Sequence, residues 1–398
     1  MFSRRTLLGT GMVAGLGTLN RVRAAPAEEP AIRRHVTLGK TGLEVSEIGF
    51  GSASSQDASL IRHALDRGVT FFDTAESYRF GWSEEAMGEG LKGVPRDQIV
   101  LNSKTKAGAS DTEAEMMAAL EGSLKRLQTD YLDIYFNHAV NSVDRMQNEA
   151  WALFTERAKE QGKIRFRGMS GHGSRLARCL GYAIDNDLVD VILCAYSFGE
   201  DPDLYARLKH TFHFVAIQSD LPPVLDKARE KGIGVVAMKT LMGARLNDMR
   251  PFEKEGRTYA QAALRWVLSS PRVDAALISM TGLDNIDEYV GASGQEDDRA
   301  GDVELLGRYA SLQSGRYCRQ GCDQCEGACP EGVAIAEVLR TRMYDVDYRN
   351  PALAVEDYAK LDNDATACLT CTHQACLNAC PLGIPIPEFT TDAARRLG

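Results

Sequence analysis

From about residue 36 to residue 292, short apolar runs alternate with stretches in which apolar residues recur every three or four positions. The first pattern predicts buried strands and the second amphipathic helices, and their regular alternation predicts repeated β-α units around a parallel sheet. Eight units follow one another. Their strand candidates are EIGFGSA from Glu47, VTFFD from Val69, IVLNSK from Ile99, YLDIYFNH from Tyr131, IRFRGMS from Ile164, DVILCAYS from Asp190, GVVAMKT from Gly234 and AALISMT from Ala275. Between them, DTEAEMMAALEGSLKRLQT carries Met116, Leu120, Leu124 and Leu127 at helical spacing. Eight parallel strands close most economically into an α/β fold of the (β/α)8 TIM-barrel type. An open doubly wound sheet is the alternative, but no strand is followed by the glycine-rich dinucleotide turn such a sheet usually carries. Ahead of the first unit, RHVTLGKTGLEVSEIGFG reads as a hairpin turning at Lys40-Thr41-Gly42, suited to plug the barrel floor.

After Gly291 the pattern stops at ASGQEDDRAGD, a polar linker, and a helical segment leads into a cysteine-rich tail. Two further helical pieces, around VAIAEVLRTRMYDV and AVEDYAKL, join two cysteine groups within it. The predicted organisation is a leader over residues 1–24, a barrel over 25–300 and a small, mainly helical domain over 301–398.

Composition adds exclusions. The 398 residues are 44% hydrophobic and 25% charged, a globular balance. Acidic residues outnumber basic ones 55 to 46 without a basic run, which disfavours nucleic acid as a partner. The opening MFSRRTLLGTGMVAGLGTLNRVRA has a basic start, an apolar stretch from Leu7 to Leu19 and a small residue, Ala24, at a cleavage position. That stretch is shorter than the roughly 20 residues a bilayer span needs, so a stable membrane span is not expected. Arg4-Arg5 within SRRTLL resembles a twin-arginine signal, an address for proteins exported after folding, and predicts a periplasmic or otherwise exported protein.

The tail holds eight of the ten cysteines. Cys318, Cys322, Cys325 and Cys329 are spaced C-x3-C-x2-C-x3-C-P, and Cys368, Cys371, Cys376 and Cys380 are spaced C-x2-C-x4-C-x3-C-P. Bacterial ferredoxins use C-x2-C-x2-C-x3-C-P, in which three thiolates hold one cubane and the fourth reaches its neighbour. The spacing therefore predicts two 4Fe-4S clusters: one on Cys318, Cys322, Cys325 and Cys380, the other on Cys368, Cys371, Cys376 and Cys329. Zinc sites and four disulfides are the alternatives. Export favours the clusters, because they are assembled in the cytosol and must be in place before the chain crosses a membrane folded. His373 lies in the wider gap of the second group and reads as a loop residue, while Cys179 and Cys194 read as packing residues of the barrel.

Active sites of this fold lie at the C-terminal ends of the strands. Asp73 ends the second strand, Tyr78 follows it, Lys104 ends the third and His138 the fourth. Through LGKTGLEVSEIGFG, FFDTAESY, VLNSKT and DYLDIYFNH the chain resembles the aldo/keto reductases over nearly the whole barrel. RGMSGH, GIGVVAMKTL and the paired C-x3-C-P endings resemble the branch with a C-terminal ferredoxin-type domain. The resemblance implies that Tyr78 is the proton donor, that Lys104 lowers its pKa, that Asp73 holds Lys104 and that His138 orients a carbonyl. Each residue alone has an ordinary structural use, as cap, solvated charge, wall or core histidine.

Cofactor binding is less well matched. The family's nicotinamide site implies a serine, an asparagine, a glutamine and a stacking tyrosine at the ends of strands five to seven. Ser170 is retained, but Gly171-His172 follow it, and Leu193 and Met238 replace the glutamine and tyrosine. After strand eight, SMTGLDNIDEY offers no cation to a 2′-phosphate, so NAD(P) is doubtful. The expected function is an exported oxidoreductase acting on a carbonyl or alcohol, a sugar among the candidates, whose clusters exchange electrons with a redox partner protein. An electron-transfer or partner-binding module with an inactive barrel, or an NADPH-dependent reductase with structural clusters, are the competing readings.

Overall fold

A computed structural model describes residues 29–53, 55–200, 220–242, 248–254, 257–295, 299–313, 317–318, 322–347 and 350–398. The leader at 1–24 lies outside the described residues. All eight expected strands form: β3 (Ile48–Gly51), β4 (Phe71–Asp73), β5 (Val100–Thr105), β6 (Leu132–Asn137), β7 (Ile164–Gly171), β8 (Val191–Ala195), β9 (Gly234–Met238) and β10 (Ala275–Ser279). They follow β1 (His35–Thr37) and β2 (Glu44–Ser46). Strands β3 to β10 pair in chain order, each parallel to its neighbours, and β10 closes on β3. The open-sheet alternative is thereby set aside.

Helices α1 (Ala58–Asp66), α2 (Trp82–Leu91), α3 (Glu113–Leu127), α4 (Asp144–Gln147), α5 (Glu149–Glu160), α6 (Leu176–Asp185), α7 (Leu221–Glu230), α8 (Tyr259–Leu268) and α9 (Leu283–Val290) belong to the barrel. Two of them open with capping boxes. The Thr112 side chain accepts from the Glu115 backbone N–H while Glu115 reaches back, and Thr258 and Gln261 repeat the device.

Period-2 alternation divides the strands between two cores. Phe72, Leu101, Tyr135, Ile192 and Val235 face the helices, whereas Phe71, Val100, Ile134, Phe136, Val191, Leu193, Val236 and Leu277 fill the barrel. Leu38, Leu43 and Val45 of the hairpin enter that inner core. β1 pairs antiparallel with β2, His35 opposite Ser46, and the turn between them docks through Lys40 N donating to Gly232 O at 2.7 Å. The hairpin is the floor plug that the sequence predicts.

Helix α10 (Arg299–Gln313) begins inside the polar linker and lies on α8. The Arg265 guanidinium donates twice to Asp302, at 2.7 and 2.6 Å, with both side chains almost wholly buried. The Tyr259 and Tyr309 rings stack at 4.1 Å. Beyond it, α11 (Ile335–Val346), α12 (Pro351–Tyr358) and α13 (Ile386–Leu397) enclose a second core of Val333, Ile335, Val338, Ile384, Ile386 and Ala393, against which six of the tail cysteines pack. Among the described residues, no helix is long and apolar enough to cross a membrane.

Candidate active site

The same parity that sends Phe71, Val100, Ile134 and Phe136 inward continues past the hydrophobic layers. It brings Asp73, Lys104 and His138 to the inner face at the strand ends, where apolar filling gives way to polar groups. Lys104 and Asp73 are buried, 1% and 5% exposed, while Tyr78 and His138 above them keep part of their surface open. The structure thus gathers all four predicted residues.

Lys104 Nζ donates to Asp73 Oδ2 at 2.6 Å, to the Thr74 carbonyl at 2.6 Å and to the Tyr78 hydroxyl oxygen at 3.4 Å. Its three hydrogens are therefore assigned. Burial opposes its charge, but Asp73 and Tyr78 outweigh burial and hold the ammonium above its ordinary pKa. Burial pushes the Asp73 carboxyl up, against the pull of Lys104.

The Tyr78 phenol differs from the expectation that its cation would lower its pKa. Burial raises it, and although Lys104 pulls it down, the net shift is upward. A resting phenol in this site stays protonated. Its oxygen accepts from Lys104, so its own O–H is not used in that contact.

The His138 ring stands edge-on to Tyr78 with centroids 5.4 Å apart, and its Nδ1 lies 3.3 Å from the Ser77 hydroxyl. Burial, followed by the charges of Lys104 and Lys106, holds His138 well below its usual pKa and therefore neutral. Arg145 braces this corner, donating to Asn137 Oδ1 at 2.6 Å and to the His138 and Ala139 carbonyls at 2.9 and 3.1 Å. After Tyr78, Arg79 and Phe80 both take left-handed backbone, φ 53° and 60°, and Phe80 is exposed. Non-glycine residues in that region carry strain of the kind found beside functional sites.

Ser170 also points into the mouth, where its hydroxyl accepts from Ala139 N at 3.0 Å. The positions around it suit a nicotinamide carboxamide poorly. A Cβ on Gly171 would come within 2.7 Å of Leu176 Cδ1 and 3.0 Å of Val140 O, so a side chain there would require Leu176 to turn aside and the Val140 carbonyl to give way. Leu193 is part of the inner core and Met238 packs on it. Neither offers a donor.

Sequence reasoning missed the residues that seal the mouth from the tail. Glu337 on α11 accepts from Asn141 Nδ2 at 2.9 Å and from Ser174 N at 3.2 Å, and pairs with Arg340. Lys239 Nζ donates to the Tyr344 hydroxyl at 3.3 Å, and Lys106 Nζ bonds Asp357 on α12 at 2.7 Å. His172, two residues past Ser170 and on the same face, has no hydrogen-bond partner for Nδ1. Burial, then Lys239, lowers its pKa to about 3. Glu337, Arg340 and Tyr344 occur at i, i+3 and i+7, one helical face, which is the signal the sequence did contain.

The tail cysteines converge as two sets drawn from both groups. Cys329 joins Cys368, Cys371 and Cys376 around one cavity, closed by Ile386 and Thr390. Cys380 joins Cys318, Cys322 and Cys325, close enough that a charge on one disfavours a charge on the others, and burial raises the thiols of Cys318, Cys322 and Cys325. None of the ten cysteines forms a disulfide. Among the described residues, no group of three or more His, Cys, Asp or Glu side chains makes a site for a metal ion. A cubane carries its thiolates at separate corners, farther apart than the ligands of a single ion, and the all-cysteine donor sets suit it.

Residues 38–298 match the family described as aldo/keto reductases. L-galactose dehydrogenase of Arabidopsis thaliana is 26% identical over 312 residues, covering 69% of this chain and 92% of that protein. The aldo-keto reductase YhdN of Bacillus subtilis is 34% identical over 155 residues, 34% of this chain and 46% of its own. The solved holo form of an aldo-keto reductase from Bacillus halodurans superposes with a TM-score of 0.53 at 22% identity, covering 69% of this chain and 95% of that one, a likeness of fold.

Proposed function

This chain belongs to the aldo/keto reductase family, and on that premise we propose that it is an exported oxidoreductase acting on the carbonyl or alcohol group of a small polyhydroxylated substrate, such as a sugar, while 4Fe-4S clusters in its tail exchange electrons with a redox partner protein. The observation that carries the reading is Lys104 Nζ, held between Asp73 and the Tyr78 hydroxyl at the mouth of the barrel. The choice of a sugar is supported by the similarity to L-galactose dehydrogenase of Arabidopsis thaliana.

The residues supply the proton half of the reaction. A substrate carbonyl oxygen receives a hydrogen bond from the Tyr78 O–H and a second from His138, whose Nε2 carries the proton when Ser77 donates to Nδ1. As negative charge develops on that oxygen, the phenol releases its proton to it. Lys104 then faces the phenolate at close range in a dry site, where its charge counts most. In alcohol oxidation the same groups take the proton in reverse, while the hydride of the carbinol carbon passes to a two-electron carrier, a nicotinamide or a flavin, that would hand its electrons singly to the clusters.

Members of the family typically use NAD(P)H, but Gly171 and Leu193 do not provide the family's carboxamide contacts and Met238 does not provide its stacking ring. Cys318, Cys322, Cys325 and Cys380 would hold one cluster and Cys329, Cys368, Cys371 and Cys376 the other, supplying one-electron chemistry. Arg4-Arg5 supports export of the folded, cluster-loaded chain.

The test is anaerobic turnover of L-galactose by the mature protein, driven by a one-electron dye in one assay and by NADP in another. The proposal expects turnover with the dye. Turnover with NADP alone, undiminished in cluster-free protein, would instead indicate a conventional reductase.

A further inference from the structure

The inner layer that carries Asp73 holds a second buried polar side chain. Parity along β5 sends Val100 and Lys104 inward and Leu101 to the helices, so Asn102 faces the barrel interior as well. Where β4 pairs with β5, Asn102 is the register partner of Asp73, and beside it Thr74 N donates to Asn102 O at 3.2 Å. Partners on one face of neighbouring strands bring their side chains to about 5 Å, so the amide stands next to the carboxylate. Asn102 is 0% exposed, and neither its Oδ1 nor its Nδ2 has a hydrogen-bond partner among the described residues. The same holds for Asp73 Oδ1, the oxygen that Lys104 leaves over. The next partner of Asn102, on β6, is Ile134, and Gly51 of β3 lies on the other side of Asp73. An apolar side chain would fill this position as Val100 and Ile134 fill theirs, without the penalty of burying an unbonded amide.

We infer that Asn102 is a positioning residue of the reaction: its Nδ2 donates to Asp73 Oδ1, by a turn of the side chain or through one water, and completes the hydrogen bonds of the carboxylate that holds Lys104. The inference deepens the assignment of proton transfer to Tyr78 and Lys104 and rests on it. Lys104 from β5 and Tyr78 from the loop after β4 are the titratable groups that face Asp73, and His138 follows on the far side of Lys104, at the end of β6. From β3 there is only Gly51, and the barrel beneath is apolar. Burial pushes the Asp73 carboxyl up and Lys104 draws it down, so a donor on Oδ1 acts with Lys104 to keep it ionised. Without that donor Asp73 takes a proton at a higher pH, and Lys104 then loses the counter-charge that outweighs its own burial.

The experiment is pH-difference infrared spectroscopy of the anaerobically purified mature protein, which reads the carbonyl stretch of a protonated carboxyl. Isotope-labelled aspartate, together with loss of the band in Asp73→Asn, assigns it. Asn102→Leu, close in volume and without a donor, is expected to bring in the Asp73 band at a pH higher by about 1–2, the worth of one hydrogen bond to a charged group. The acid limb of kcat is expected to move by the same amount, with KM nearly unchanged. Asn102→Asp serves should the leucine variant not fold: it sets two carboxyls side by side, and one of them is expected to stay protonated at pH 7. An Asp73 band at the wild-type pH in Asn102→Leu, even with lowered thermal stability, would overturn the inference and leave Asn102 a packing residue. Two ionised carboxyls at pH 7 in Asn102→Asp would do the same. A shifted band in protein that does not turn over L-galactose would instead refute the proposed reaction and leave the contact between Asn102 and Asp73 standing.

Discussion

Lys104 directs its three hydrogens to Asp73, Thr74 and Tyr78, so the chemistry of the site hangs on one buried side chain. Tyr78→Phe keeps the ring and removes the acid. Turnover is expected to fall by about 10²–10⁴-fold, the usual worth of a general acid, with KM nearly unchanged; unaltered kcat in steady-state assays would exclude Tyr78 as the donor. Lys104→Met leaves Asp73 buried beside a neutral chain, and denaturant titration is expected to show a loss of about 3–5 kcal/mol as well as inactivity. These residues were legible because strand parity and position at the strand ends are periodic signals. His172 obeys the same parity, two residues beyond Ser170, but a lone histidine carries no spacing of its own, and only its enclosure and unpartnered Nδ1 mark it. The direction of the Tyr78 shift was not legible either, since burial, the dominant cause, is a property of the folded mouth.

At the level of elements, the floor hairpin is held by a contact that no side chain makes. Gly39 has φ 51°, and a Cβ there would overlap Gly232 O and Gly234 N at the start of β9. Gly39→Ala therefore meets both a left-handed backbone and a backbone clash, and is expected to cost at least about 1 kcal/mol, lowering the thermal midpoint without altering KM. An unchanged midpoint would mean that the hairpin docks differently. All eight barrel strands were readable as short apolar runs, because most of their residues are buried on both faces, and the hairpin was readable from its turn at Lys40-Thr41-Gly42. The start of α10 was not, since Arg299 and Asp302 belong to a polar run and it is the distant Arg265 that makes a helix there favourable.

For the whole molecule the decisive feature is the seam between the barrel mouth and the cysteine-bearing tail, formed by Glu337 with Asn141 and Ser174, Lys106 with Asp357, and Lys239 with Tyr344. Pairs separated by 105 to 251 positions leave no local pattern, so the shared helical face of Glu337, Arg340 and Tyr344 was the sequence's one sign of the seam, and it did not name their partners. Two part-buried histidines beside it, His138 and His172, make the mouth sensitive to acid. An unfolded histidine takes a proton near pH 6.5 whereas folded His172 does so only near 3, and folded His138 is lowered in the same direction. Between these values the unfolded chain binds more protons, so stability is full above about pH 6.5 and declines as pH falls, by up to about 1.4 kcal/mol per pH unit for each histidine. Denaturant midpoints are expected to be similar at pH 7 and 8 and clearly lower at pH 5, with a shallower slope in His172→Gln; a pH-independent midpoint would show that these rings are solvated. Replacing Arg4-Arg5 by Lys-Lys is expected to leave the protein in the cytoplasm on cell fractionation, whereas undiminished export would exclude the twin-arginine route. The most direct measurement is Mössbauer spectroscopy with iron and sulfide counting on anaerobically prepared, full-length mature protein. The account predicts about eight iron and eight sulfide per chain with the spectrum of 4Fe-4S cubanes, and colourless protein with its tail cysteines oxidised to disulfides or bound to zinc would contradict it.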